Sequence, residues 1–266
     1  MKYKLVCVDM DGTLLDSSKN IKKRNIEVIQ KADKRGVKVV LTTGRGYPFA
    51  KEFRDKMGIS TPIIASNGAY IVDGHEVMLK NVIPMETANT ILSVMEKYKV
   101  KTFIHTTDDI IYREKDMNKF LARKLFGNTL KGVKSFDIGL QDNKDKMLKF
   151  IGISVSSKKM EKVKEVLRKI DNLEVVSSNK FNCEIMINGS SKGEAVRVMA
   201  KKYNINQEEV MCIGDNENDL SMLQYAGCAV AMGNGSKEVK EIADYVTSSN
   251  NNCGVAQAIE KFILAD

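Results

Sequence analysis

The sequence predicts an α/β fold, a doubly wound parallel sheet that carries an inserted α+β domain. Three observations lead there. Short apolar runs alternate with helix-period segments at both ends of the 266-residue chain. Polar, glycine-bearing turns follow several of those runs. Between residues 84 and 187 the alternation gives way to clustered strands and helices.

Leu5-Val6-Cys7-Val8 belongs to a first strand at residues 4–9. Ile21, Ile26, Ile29 and Ala32 give a following helix its apolar face, and Gly36 is placed to stop it. Residues 37–42 form a second buried strand. Ala50, Phe53 and Met57 face one side of a second helix that ends at Gly58, and residues 62–65 form a third strand. This β-α-β-α-β order requires parallel strands joined by right-handed crossovers. The same grammar resumes near the end. Residues 192–203 form a helix with Ala195, Val196 and Met199 inward. Residues 210–213, 229–232 and 245–246 are strands, and 255–264 is a closing amphipathic helix.

In the middle, residues 102–106 and 110–113 flank Thr107-Asp108-Asp109 as a hairpin. A polar, lysine-rich stretch follows. Residues 149–156 form a further strand, and Met160, Val163, Val166, Leu167 and Ile170 mark a helix. The expected division is residues 1–83 and 188–266 for the parallel-sheet core and 84–187 for the insertion. Linkers fall near residues 82–85 and 188–190.

Composition excludes several classes of protein. Hydrophobic residues at 43% and charged residues at 29% suit a folded chain rather than a disordered one. No apolar run approaches the roughly 18 residues that span a bilayer, and the N-terminus lacks a signal-peptide pattern. A cytoplasmic protein with no membrane partner is expected. The five cysteines include no Cys-x-x-Cys pair, and with two histidines a His/Cys metal site is excluded. The net charge of +8 is spread over lysines mixed with glutamates, as on solvated helix faces, so no nucleic-acid partner is expected.

Ligands of open α/β sheets bind beyond the carboxyl ends of parallel strands. Four polar segments belong at that edge: Asp9 with Asp11, the run Thr42-Thr43-Gly44-Arg45, Ser191-Lys192-Gly193, and the loop from Gly214 to Asp219. Two residues apart on an extended segment, Asp9 and Asp11 can face one small volume, where like charges require a cation or a shared proton. An Asx-type turn closing the strand is the competing reading. Likewise Lys192 can be solvated at a helix start, and Asn218 with Asp219 can cap the next helix. Pooled, the segments supply carboxylates, a hydroxyl, an ammonium, an amide and glycine-flanked N–H groups. That inventory matches a phosphoryl group with Mg²⁺.

The motifs Asp9-x-Asp11-Gly12-Thr13, Thr43-Gly44-Arg45, Ser191-Lys192-Gly193, Gly214-Asp215-x-x-Asn218-Asp219 and Gly254-Val255-Ala256 resemble those of the haloacid dehalogenase (HAD) superfamily. The resemblance is to its Cof-type sugar-phosphatase branch with a type IIB cap, and it covers essentially the whole chain. It implies a Rossmann-like core and Asp9 as the nucleophile that becomes an aspartyl-phosphate. It implies Asp11 as acid and then base, a role that calls for a raised pKa. Mg²⁺ would be held by Asp9, the Asp11 carbonyl and Asp215. Phosphoryl oxygens would meet Thr43, Lys192, Asn218 and the Met10 and Gly44 backbone, with Asp219 behind them. Arg45, Asn67 and Gly68 lie near the same edge. Glu217 adds a carboxylate that can point outward or join the metal's water shell. The expected activity is hydrolysis of small phosphorylated metabolites, sugar phosphates above all, by a monomer or weak homodimer. A phosphosugar mutase or a non-enzymatic phospho-metabolite-binding regulator are the alternatives.

Overall fold

The computed structural model describes residues 2–118, 120, 123, 129–177 and 179–265. In chain order its strands are β1 (Leu5–Asp9), β2 (Lys38–Thr42), β3 (Ile63–Ala65), β4 (Tyr70–Asp73), β5 (Glu76–Lys80), β6 (Lys101–Thr106) and β7 (Ile110–Arg113). They continue with β8 (Leu130–Val133), β9 (Met147–Ile153), β10 (Leu173–Val176), β11 (Asn182–Ile187), β12 (Val210–Gly214), β13 (Cys228–Ala231) and β14 (Tyr245–Val246). They form two sheets. The larger is ordered β14-β13-β12-β1-β2-β3-β4-β5 and the smaller β10-β11-β9-β6-β7-β8.

The larger sheet is parallel from β14 to β3, with β1 at its centre between β12 and β2. Apart from the edge strand β14, these strands are buried on both faces and read as apolar runs. Val6 and Val8 point into one layer, shared with helices Lys23–Lys34 and Gly254–Ile259. Leu5, Cys7 and Cys212 point into the other, under helix Lys192–Lys202. The sheet is not wholly parallel, however. β4 and β5 add an antiparallel hairpin at one edge. Its turn at Gly74, φ 61°, follows Asp73, and this Asp-Gly pair between two β-rich runs is a hairpin signal that the periodicity reading passed over.

In the smaller sheet every pairing is antiparallel except β7 with β8. Helices Met85–Lys97 and Ser157–Leu167 supply Ile91, Met95, Met160 and Val163 to its core. Alternation sends Ile104, Phe150 and Ile185 into that core. His105, Lys149 and Glu184 go to the opposite face, which looks onto the larger sheet. The lysine-rich stretch contains β8 and a short helix, Phe136–Gln141, with part of it outside the described residues. Neither element has the alternation that would announce it.

Several boundaries differ from the expected ones. Ile21 lies before the first helix and forms an isolated bridge to Leu15. The closing helix widens into a π turn over Glu260–Leu264. Among the described residues, no helix is long and apolar enough to cross a membrane.

Candidate active site

Alternation along β1 decides where its last carboxylate points. Leu5 and Cys7 share the layer beneath helix Lys192–Lys202, and Asp9 continues that series. Ser191 caps this helix, its hydroxyl accepting from the Glu194 N–H at 3.2 Å, which fixes Lys192 as the first helical residue. The Lys192 ammonium, 1% exposed as a residue, donates to Asp9 Oδ1 and to Asp219 Oδ1, both at 2.5 Å.

Asp219 turns its other oxygen to the chain, accepting from the N–H groups of Asp215 at 2.9 Å and Asn216 at 3.1 Å. Those two bonds fold the loop after β12 toward the end of β1. Asp215 then accepts from the Thr13 hydroxyl at 2.9 Å. Asp9, Asp215 and Asp219 each bring one oxygen within 4.8 Å of the others. Gly12, φ 85°, makes the approach possible, because a Cβ there would collide with the Asp215 carboxylate.

Burial pushes the Asp9 carboxyl well above the usual range. The Asp219 and Asp215 carboxylates push the same way, and Lys192 opposes them. Asp215 is pushed up to about 6, by burial first and then by Asp219. Burial disfavours the Lys192 ammonium, but its two carboxylate partners outweigh that and raise it. Once all three ionise, the carboxylates around one ammonium carry a surplus of two negative charges. A hard divalent cation is the group that balances such an all-oxygen set, so the residues present fit one.

Asp11 departs from the expectation. β1 ends at Asp9, and the chain at once turns back, with Leu14 N–H on the Asp9 carbonyl and Leu15 N–H on the Met10 carbonyl. The extended i, i+2 geometry stops with the strand. Asp9 therefore shares its charge with Asp215 and Asp219 rather than with Asp11. Asp11 instead accepts from Arg45 Nε at 2.5 Å and Nη2 at 2.8 Å, and from Lys19 Nζ at 2.8 Å. Burial raises its carboxyl, but Arg45 and then Lys19 override that and leave it below the ordinary carboxylate value. The raised pKa anticipated for an acid is absent in this arrangement.

Of the remaining expected residues, Thr43, Gly44, Arg45 and Asn218 line one cavity with Asp9. Thr43 is buried, its Oγ1 accepting from the Arg45 N–H at 3.1 Å. Met10 is fully buried and packs in the core. Glu217 is exposed. Ser66, Asn67 and Gly68 form a left-handed turn, φ 51°, 57° and 97°. Asn67 accepts from Asn218 Nδ2 at 3.2 Å and its backbone N–H donates to the Thr43 carbonyl at 3.0 Å. Its own amide donates to Glu184 Oε2 at 2.8 Å.

Glu184 and Lys149 come from the smaller sheet and were not anticipated. Lys149 Nζ donates to Glu184 Oε2 at 2.6 Å and also to the Gly44 carbonyl. With Asp9, Asp11, Gly44 and Arg45 they line one cavity of about 250 Å³ between the two sheets. His105 lies on its wall, where burial and the nearby Lys149 and Arg45 charges hold the ring well below its usual pKa. A lysine in the middle of an apolar strand was the available signal for Lys149. Phe49 carries the Arg45 guanidinium on its ring face, 4.1 Å from the centroid.

Residues 6–259 match the family described as haloacid dehalogenase-like hydrolase. The chain is 31% identical over 263 residues to the Bacillus subtilis (strain 168) 5-amino-6-(5-phospho-D-ribitylamino)uracil phosphatase YcsE, covering 98% of this chain and 96% of that one. A solved haloacid dehalogenase-like hydrolase from B. subtilis superposes with a TM-score of 0.91 at 29% identity, covering 98% of this chain and 100% of the other. The HAD subclass IIB sugar phosphatase BT4131 superposes at 0.84 with 26% identity, covering 98% and 100%. On these matches the chain belongs to the haloacid dehalogenase-like hydrolase family and is a phosphatase of its Cof-type branch.

Proposed function

We propose that the chain is a Mg²⁺-dependent phosphatase of small phosphate monoesters, sugar phosphates foremost, working through an aspartyl-phosphate on Asp9. The observation that carries this reading is the cluster of Asp9, Asp215 and Asp219 beside Lys192, which bonds Asp9 and Asp219, with Asp9 opening onto the cavity; once ionised, the three carboxylates suit a divalent ion. Asp9, the Asp11 carbonyl and Asp215 would hold Mg²⁺. When bound, it would neutralise phosphoryl oxygens and keep Asp9 ionised for attack.

A carboxylate oxygen of Asp9 attacks phosphorus and the bond to the leaving oxygen breaks. Asp11 supplies the proton that oxygen needs. Water then attacks the phosphorus of the aspartyl-phosphate, gives its proton to Asp11, and releases phosphate and the Asp9 carboxylate. For this role Asp11 must exchange Arg45 and Lys19 for the substrate, because those two cations hold it ionised. Thr43, Lys192, Asn218 and the Met10 and Gly44 backbone would bind the phosphoryl oxygens, with Asp219 holding Lys192. Residues 84–187 would act as a cap on the core formed by 1–83 and 188–266, excluding water and contacting the leaving group. The named substrates of YcsE and of BT4131, a ribityl phosphate and sugar phosphates, support a hydroxylated leaving group.

Hydrolysis of p-nitrophenyl phosphate and a panel of sugar phosphates, with Mg²⁺ and with EDTA, tests the reading. Metal-dependent phosphate release is expected. Isomerisation of a hexose 1-phosphate faster than phosphate release would convert the assignment to a mutase, and no turnover of any ester would favour a binding protein.

A further inference from the structure

Lys149 is nine parts in ten or more removed from solvent, 1% exposed, and Glu184 is 8% exposed. Neither belongs to the apolar core of its sheet. Both occupy the face that closes over Asp9, and both line the cavity that contains it. An internal ion pair is a poor stabiliser, since taking both charges out of water offsets most of their attraction and apolar replacements often do as well. A buried pair aimed into a reactive cavity therefore points to a ligand.

The bonding pattern says which kind. The bonds of Lys149 Nζ among the described residues go to Glu184 Oε2 and the Gly44 carbonyl, leaving one of three N–H groups over. Glu184 receives both Lys149 and Asn67 on Oε2, leaving Oε1 without a partner among the described residues. A spare donor and a spare acceptor thus stand side by side on a wall whose charges already cancel. A second anionic group on the substrate would find no net positive charge there. A hydroxyl, which accepts one hydrogen bond and donates another, matches both.

We propose that Lys149 and Glu184 form the specificity-determining pair for the leaving group, engaging one hydroxyl of a neutral polyhydroxylated phosphate ester while the phosphoryl group sits at Asp9. This deepens the phosphatase reading and rests on it. The pair also touches Gly44 and Asn67, so the same hydroxyl contact bears on the two core loops at the phosphoryl end.

The test compares Lys149→Met and Glu184→Gln with the parent enzyme on the best-turned-over sugar or polyol phosphate, its series of monodeoxy analogues, and p-nitrophenyl phosphate. In the parent, removal of one particular hydroxyl is expected to lower kcat/KM about tenfold or more, because it strands the two buried groups. In both variants that penalty shrinks to about twofold, and the preference for the polyol ester over the aryl ester falls about tenfold, mostly through KM. If Lys149→Met does not fold, Lys149→Met with Glu184→Leu removes both charges and is measured in its place. A deoxy penalty that persists unchanged in the variants overturns the proposal, as does a parent enzyme indifferent to every hydroxyl. Failure of the phosphatase reading would look different, because no ester would then be hydrolysed at all.

Discussion

Two buried lysines stand near Asp9, Lys149 on the wall of the cavity that Asp9 lines and Lys192 at a helix start bonded to Asp9 itself, and they live in different electrostatic worlds. Lys192 sits between two carboxylates, which together raise its pKa against the penalty of burial. Lys149 has one carboxylate, and there burial wins and its pKa falls. Once ionised, the carboxylates around Lys192 carry more negative charge than its ammonium can balance, whereas the Lys149–Glu184 pair is neutral within itself. A surplus calls for an outside cation, while a closed pair calls for a neutral ligand that can use leftover hydrogen bonds. On the proposed reading, this charge arithmetic separates a phosphoryl end from a leaving-group end.

The comparison breaks most sharply at Asp9. Asp9→Asn keeps the shape but removes the attacking oxyanion. Turnover of p-nitrophenyl phosphate is expected to drop by about 10⁴-fold or more, with an unchanged circular dichroism spectrum. Retention of a tenth of the activity would take Asp9 out of the nucleophile role.

The two lysines should differ next in stability. Lys192→Met leaves Asp9 and Asp219 buried together without their counter-ion, an expected loss of about 3–5 kcal/mol read from urea midpoints. Lys149→Met strands only Glu184, at the edge of a cavity, and should cost about 1–3 kcal/mol. Equal losses would erase the distinction drawn between the two sites.

Metal binding should act on the Lys192 side alone. Saturating Mg²⁺, at about a hundred times its Kd, is expected to stabilise the folded chain by about 2.7 kcal/mol. Asp215→Asn should remove most of that gain, whereas Glu184→Gln should preserve it. A thermal shift with Mg²⁺ that survives Asp215→Asn would move the metal elsewhere.

The pH dependence is the finest test. Asp215 rises from 3.8 to about 6 in the metal-free fold. Between those values the folded chain holds a proton that the unfolded chain has lost, so stability without metal should fall as pH rises through that window. Ionisation over the same interval would complete the proposed metal site. The gap in Tm between Mg²⁺ and EDTA samples should therefore widen from pH 5 to pH 7. A gap that narrows with rising pH would contradict the sign of this linkage.

Much of this was legible before any coordinates. β1, β2, β3, β12 and β13 are buried on both faces, so they appear as plain apolar runs, and the residues after them line one edge by topology alone. The hairpin of β4 and β5 escaped because its outer strand is partly exposed and its signal is a turn rather than a period. The partners of Asp11 escaped for a related reason. Its spacing from Asp9 implied an extended segment, but the strand ends between them and Arg45 arrives from another loop.

What the linear chain determined by itself was the order of layers, the polar residues at the strand ends and the family they announce, because periodicity and short motifs are local properties. The tertiary structure alone decided which carboxylates share a charge, that Asp11 is tied to Arg45 and Lys19, and that Lys149 and Glu184 face Asp9. Those are contacts between segments up to 210 positions apart, from Asp9 to Asp219. No local pattern encodes a distance between two sheets. It emerges only when both have packed.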